Sequence, residues 1–166
     1  MSLRFTSLVM LSMTLPLTVL AEPATTTSSA TTEGTSRILG TALRSTDLDR
    51  SIKFYTTGLG MVVATTLKNG PVTEVMFSFG SDRTQPVILL YKDASPGKSP
   101  PLEHGNAYGR VILRVADADA LAAHLRSAGY TAGDVQTNAA NHVKVFWAED
   151  PDGYKYEITE RSAPKP

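Results

Sequence analysis

One pattern constrains this chain more than any other. Between residues 37 and 160 the same order of elements can be read twice: a strand, a helix, then three strands. In the first pass, residues 37–44 are β-rich. Thr46 stands where it could cap a helix, in which Leu48, Ile52, Tyr55 and Leu59 recur at helical spacing. Gly58 and Gly60 are expected to end it. Strands are predicted over 61–67, 72–79 and 86–92, with Asn69-Gly70-Pro71 as a turn and Pro86 opening the last. A Pro- and Gly-rich link covers 93–106. The second pass predicts a strand over 108–115 and a helix over 117–128. That helix has Ala118, Leu121, Ala122 and Leu125 on one face and Gly129 at its end. A weak strand over 130–135, a stronger one over 142–147 and a closing strand over 154–160 follow. Asp150-Pro151-Asp152-Gly153 makes the last hairpin turn, with φ preset at the proline and free at the glycine. Two βαβββ modules predict an α+β fold. Helices cover one face of a mixed, antiparallel-rich sheet, and the other face is free to curl into a cleft.

Strand parity divides the residues between those faces. With period two, Gly40, Ala42 and Arg44 share a side; so do Arg110, Ile112 and Arg114, and so do Lys155, Glu157 and Thr159. Their alternates (Thr41, Leu43, Val111, Leu113, Val115, Tyr154, Tyr156, Ile158) are the more apolar set and suit the covered core. The open face is therefore rich in charge.

Composition narrows the function classes. Lys plus Arg is 16 and Asp plus Glu is 16, so there is no basic excess of the kind nucleic-acid binders carry. There is no cysteine, which excludes disulfides, thiolate metal sites and a cysteine nucleophile. Arg4, the apolar run 8–20 and Val19-Leu20-Ala21 predict a signal peptide over 1–21, cleaved after Ala21. The run is too short to span a bilayer and contains Pro16, so no stable membrane anchor is expected after cleavage. The mature protein would be periplasmic or secreted. Residues 22–36 are Thr- and Ser-rich, without a large apolar side chain, and read as a flexible linker. Residues 161–166 read as a frayed tail.

The segments 40–61, 107–113 and 149–157 carry a family resemblance. Gly40-Thr-Ala-Leu-Arg-Ser-Thr-Asp-Leu-Asp-Arg-Ser-Ile-Lys-Phe-Tyr-Thr-Thr-Gly-Leu-Gly-Met61 resembles the opening of glyoxalase I (lactoylglutathione lyase). Ala107-Tyr-Gly-Arg-Val-Ile-Leu113 is similar to the start of that family's second module. Glu149-Asp-Pro-Asp-Gly-Tyr-Lys-Tyr-Glu157 is similar to its closing hairpin. The resemblance spans 37–160 and implies the vicinal oxygen chelate superfamily, which also includes bleomycin resistance proteins and dioxygenases. It implies paired βαβββ modules around a U-shaped central cleft, often completed in a homodimer.

The resemblance further implies four metal ligands, one from each of four cleft strands. By position they fall on Gly40, Leu89, Arg110 and Glu157. Only Glu157 offers a suitable donor, so no metal and no other cofactor is expected. Arg44 matches the relatives' arginine that binds a carboxylate of glutathione. The candidate site is thus Glu157 as the catalytic carboxylate, if there is catalysis, with Arg44, Arg110, Leu89, Tyr91 and Trp147 as the binding set. Arg110 and Glu157 are expected to pair, leaving a guanidinium where the relatives place the metal. Three functions follow. The first is an exported protein that binds a small polar or anionic molecule without a metal. The second is a lactoylglutathione lyase-type enzyme acting through Glu157. The third is a degenerate module with an interaction role. His104, His124 and His142 lack mutual metal spacing, and Ser51 has no histidine and aspartate company for nucleophilic catalysis.

Overall fold

A computed structural model of the chain describes residues 38–81, 87–98 and 100–161. The predicted signal peptide, the linker, Pro86 and residues 162–166 lie outside them. Arg161 does not belong to a tail: it ends the last strand.

The first module contains β1 (Thr41–Arg44), α1 (Leu48–Lys53), β2 (Met61–Asn69), β3 (Val72–Phe79) and β4 (Ile88–Asp93). The second contains β5 (Val111–Arg114), α2 (Ala118–Ser127), β6 (Gln136–Thr137), β7 (Val143–Glu149) and β8 (Lys155–Arg161). Two four-stranded sheets result, ordered β1-β4-β3-β2 and β5-β8-β7-β6. In each, first and last strands run parallel and the other pairs run antiparallel. This is the α+β architecture of two βαβββ modules.

The pairing registers make the modules comparable residue by residue. Thr41 opposes Ile88 as Val111 opposes Tyr156, so Leu89 and Glu157 are equivalent. Gly40 and Arg110 each immediately precede the first strand. Met76 opposes Leu89 as Trp147 opposes Glu157.

Both helices start on an aspartate. Asp47 and Asp117 sit in extended backbone and accept from the amides of Arg50 (3.1 Å) and Ala120 (2.8 Å). Thr46 is therefore not the cap; its hydroxyl is taken by Asp152. Before ending at Gly58, as expected, the first helix changes form. It widens into a π-helical turn, Phe54–Gly58, closed by the Leu59 amide on the Phe54 carbonyl at 3.0 Å. Gly58 lies inside that turn, where a Cβ would come 3.2 Å from Leu125 and 3.3 Å from Tyr130. The absent side chain lets the second module approach. Gly60 then takes the left-handed conformation (φ 68°) that stops the helix. The strand expected over 130–135 reduces to one bridge, Ala132 with Ala148. Gly133 still donates to the Trp147 carbonyl, but continuous pairing with β7 resumes only at Gln136.

The two inner faces share one core. Leu43, Phe77 and Leu90 from the first sheet pack into it with Phe146, Tyr156 and Ile158 from the second. Phe54 and Tyr55 sit between them, with Phe54 edge-on to Tyr130 at 4.9 Å. The outer faces consequently point away from this core. The parity assignment holds for Leu43, Leu113, Tyr156 and Ile158, which are buried, and for Ala42 and Ile112, which are exposed; Thr41, assigned to the core, is exposed at the start of its edge strand.

The 150–153 turn ties the modules together. Asp150 is buried and accepts from the Tyr55 hydroxyl at 2.8 Å and from the amides of Asp152 and Tyr154, both at 2.9 Å. Tyr55 also meets the Tyr156 hydroxyl at 2.7 Å. Asp152 takes the Thr46 amide and hydroxyl, the Ser51 hydroxyl at 3.0 Å and the Arg50 guanidinium at 3.0 Å. The carboxylates thus serve α1 of the other module, beyond the local turn. No helix among the described residues is long and apolar enough to cross a membrane.

Candidate functional site

Glu157 lies at the centre of the second sheet's outer face. Ile112 is its register neighbour on β5 and Trp147 on β7. Arg110, just before β5, reaches over this row. Its Nε pairs with Glu157 Oε2, and its guanidinium carbon stands 5.4 Å from the centre of the Trp147 ring. The Arg110 side chain is 45% exposed and that of Glu157 19%. A pair this open contributes only about 0–1 kcal/mol to stability, and the ring contact adds about 0.5–1 kcal/mol. The arrangement therefore does more to orient the guanidinium than to hold the fold. Nε is committed to Glu157. The terminal nitrogens have no other partner among the described residues. Arg114 and Lys155 flank the same face, with Glu149 at its end beside Lys155.

The equivalent positions of the first sheet are apolar. Gly40, Ala42, Met76 and Leu89, with Leu39, line a shallow hollow of about 80 Å³. The relatives' metal requires several N or O donors converging on one point. Gly40 and Leu89 have none, and Arg110 cannot give up its proton at neutral pH. The backbone also closes the first position. A Cβ on Gly40 would lie 2.9 Å from Val87 Cα and closer still to the Val87 carbonyl, and φ there is 146°. These residues do not fit the family's metal.

Arg44 and Tyr91 are placed elsewhere. They oppose each other across β1 and β4 and line an open groove of about 800 Å³ under the proline-rich link. Arg44 Nη2 donates to the Pro100 carbonyl at 2.7 Å, and its amide donates to the Tyr154 hydroxyl at 3.1 Å. No hydrogen bond, ion pair or ring contact among the described residues joins Arg44, Tyr91 or Leu89 to the Arg110–Glu157 pair. Within one chain the six candidate residues therefore divide between the two sheets, with Arg110, Trp147 and Glu157 on one and Arg44, Leu89 and Tyr91 on the other.

Sequence reasoning passed over the aromatic wall of this groove. His104 packs edge-on to Tyr154 at 4.6 Å and lies 5.8 Å from Tyr108, with its Nε2 2.9 Å from the Asp152 carbonyl. Burial, then the charge of Asp150, pushes the Tyr108 phenol above its ordinary value of 10.0. Burial does the same for Tyr154 against the opposing Arg44 amide. Parity assigned Tyr154 to the core, where most of its side chain lies. Nothing in the local sequence marks its hydroxyl as reaching β1.

His124 Nε2 meets the Thr57 carbonyl at 2.8 Å, and Ser51 is buried between Ser45 and Asp152. Asp117, Asp119 and Glu160 cluster, but Lys144 supplies the positive charge there, 2.7 Å from Asp119 and 3.4 Å from Glu160.

Comparison with known proteins adds to this geometry. Residues 37–158 match the model of the Glyoxalase/Bleomycin resistance protein/Dioxygenase superfamily. The chain is 36% identical over 134 residues to the lactoylglutathione lyase of Haemophilus influenzae, covering 78% of this chain and 96% of that enzyme. It is 38% identical over 132 residues to the lactoylglutathione lyase of Escherichia coli O157:H7, covering 75% and 92%. Among solved structures it resembles the trypanothione-dependent glyoxalase I of Leishmania major. There the TM-score is 0.63 and the identity 31%, over 76% of this chain and 87% of that one.

Proposed function

The chain belongs to the Glyoxalase/Bleomycin resistance protein/Dioxygenase superfamily, and from that premise we propose that it binds a small polar or anionic molecule on the Arg110–Glu157 face without the family's metal. One observation carries this reading: a guanidinium held by Glu157 and Trp147, at positions where relatives gather metal ligands. Arginine brings a fixed positive charge and a planar fork suited to carboxylates and phosphates. Arg44 and Tyr91 form a second polar wall in their own groove. The test is calorimetric titration of Ni²⁺, Zn²⁺ and Mn²⁺ into chelator-treated protein. The expected result is no complex tighter than about millimolar, roughly −4 kcal/mol. A one-to-one micromolar complex that disappears in Glu157→Ala overturns the reading.

A second reading is a lyase of the kind named for the relatives, favoured by 36% identity across nearly the whole length of one of them. In it Glu157 moves a proton between adjacent carbons of a thiohemiacetal. Without a metal, Arg110, paired directly with Glu157, is the cation placed to offset the developing negative charge. Formation of lactoylglutathione from methylglyoxal and glutathione, lost in Glu157→Gln, would put this reading first.

Two further parts of the proposal concern assembly and location. Ile38, Phe79, Val87 and Ile112 are exposed and line an open groove of about 510 Å³ beside the unpaired edges of β1 and β5. A second copy of the chain covering this groove would make a homodimer, checked by light scattering across a dilution series. Export with cleavage after Ala21 is checked by N-terminal sequencing of protein recovered outside the cytoplasm.

A further inference from the structure

The Arg110 seat has a shape as well as a charge. Glu157 stands against Nε, and the two terminal nitrogens, without another partner among the described residues on a side chain 45% exposed, offer a fork for a bidentate oxyanion. Beside that fork stand two large apolar side chains that the core does not use. Trp147 is 48% exposed and Ile112 is 59% exposed. They lie on either side of Glu157, one strand away in each direction. A hydrated ion would leave this apolar surface unused. A molecule with a carboxylate at one end and a flat apolar body would meet both parts. Its carboxylate would face the guanidinium, and its body would lie over the indole and the isoleucine.

We infer that the ligand class of this face is the small monocarboxylate with an aromatic or branched apolar body. This inference rests on the reading that Arg110 is the site's cation. It adds that Ile112 and Trp147 set specificity, by accepting the apolar part.

The chain's one tryptophan is Trp147, so its fluorescence reports on the site directly. The full-length protein is titrated with phenylacetate, acetate and benzyl alcohol, each to about 10 mM, a range that captures weak complexes. Phenylacetate is expected to change the emission saturably. Acetate lacks the apolar body and benzyl alcohol lacks the charge; each should bind at least about tenfold more weakly, the equivalent of about 1.4 kcal/mol. Arg110→Met should weaken phenylacetate by about the same factor or more, and Arg110→Lys, which keeps the charge and loses the fork, by less. Ile112→Ser should weaken phenylacetate and leave acetate unchanged. Equal binding of benzyl alcohol, undiminished binding in Arg110→Met, or no saturable response to phenylacetate overturns the inference. The metal titration is run on the same sample. If neither metal nor phenylacetate binds, the ligand class is wrong and the metal-free reading stands. A tight metal complex that needs Glu157 removes the reading underneath.

Discussion

The two modules share a backbone plan and differ at four equivalent positions. The second module has Arg110, Ile112, Trp147 and Glu157; the first has Gly40, Ala42, Met76 and Leu89. Both have the same strand order, and both have an aspartate-capped helix. Yet one outer face holds an ion pair under an indole, and the other a shallow apolar hollow. Repeating a fold does not repeat a site. The inner faces must pack against one another, so they are constrained alike. The outer faces answer only to what they bind.

The largest test asks whether the modules are separable at all. Asp150→Ala removes the acceptor for the Tyr55 hydroxyl and for two amides. It should cost about 3 kcal/mol in urea unfolding. It should do so in a single transition, because the core is shared. Two separate transitions would mean that the halves are independent.

The next test compares the positions just before each first strand. Gly40→Ala forces a Cβ into the Val87 backbone at positive φ and should cost about 2 kcal/mol. Gly109→Ala, beside Arg110, meets nothing within 4 Å and should change stability by less than about 0.5 kcal/mol. If both cost the same, the closure at Gly40 is not what separates the modules.

A third test uses pH on two carboxylates of one turn. Burial raises the Asp152 carboxyl, but hydrogen bonds from Thr46, Ser45 and Ser51 outweigh it and hold the group below 3.8. Burial is the largest effect on Asp150 and leaves it above 3.8. The signs are therefore opposite. The Asp152 contribution is present above its unfolded value and is lost as pH falls through its folded one. Ionising Asp150 costs stability as pH rises above 3.8. Asp152→Asn should cost about 1 kcal/mol at neutral pH, and its gap from wild type should narrow toward about pH 3. The stability of wild type relative to Asp150→Asn should instead rise over the same interval.

The smallest effect belongs to the site itself. A double-mutant cycle on Arg110→Met and Glu157→Gln should give a coupling of less than about 1 kcal/mol for so exposed a pair. A larger coupling would make the pair a structural element of the second module.

Much of the fold could be read from the residues, because periodicity and parity are local. Leu43, Leu113, Tyr156 and Ile158 declare the inner face, and the family resemblance, which sets Arg110 and Glu157 at converging positions, points to their pair. What escaped depends on distant partners. Thr46 and Asp47 are both competent caps. Thr46 instead gives its hydroxyl to Asp152, far along the chain. The π-helical turn is one residue of excess that no local signal marks. Pairing with β7 lapses over Asp134 and Val135, inside what composition presents as a strand. The separation of Arg44 from Arg110 escaped for another reason. Parity says which side of a sheet a residue takes, and it does not say where two sheets stand.

The 150–153 turn also sets an order of events during synthesis. It completes the start of α1, although 106 residues separate Thr46 from Asp152. Until the last hairpin is made, the Thr46 amide and the Tyr55 hydroxyl wait without their partners. Contacts this distant close slowly, because the chain between them must first surrender its freedom. The first module is thus finished by the final residues of the second. A chain cut short of Asp150 would lose its last hairpin together with the anchorage of its first helix.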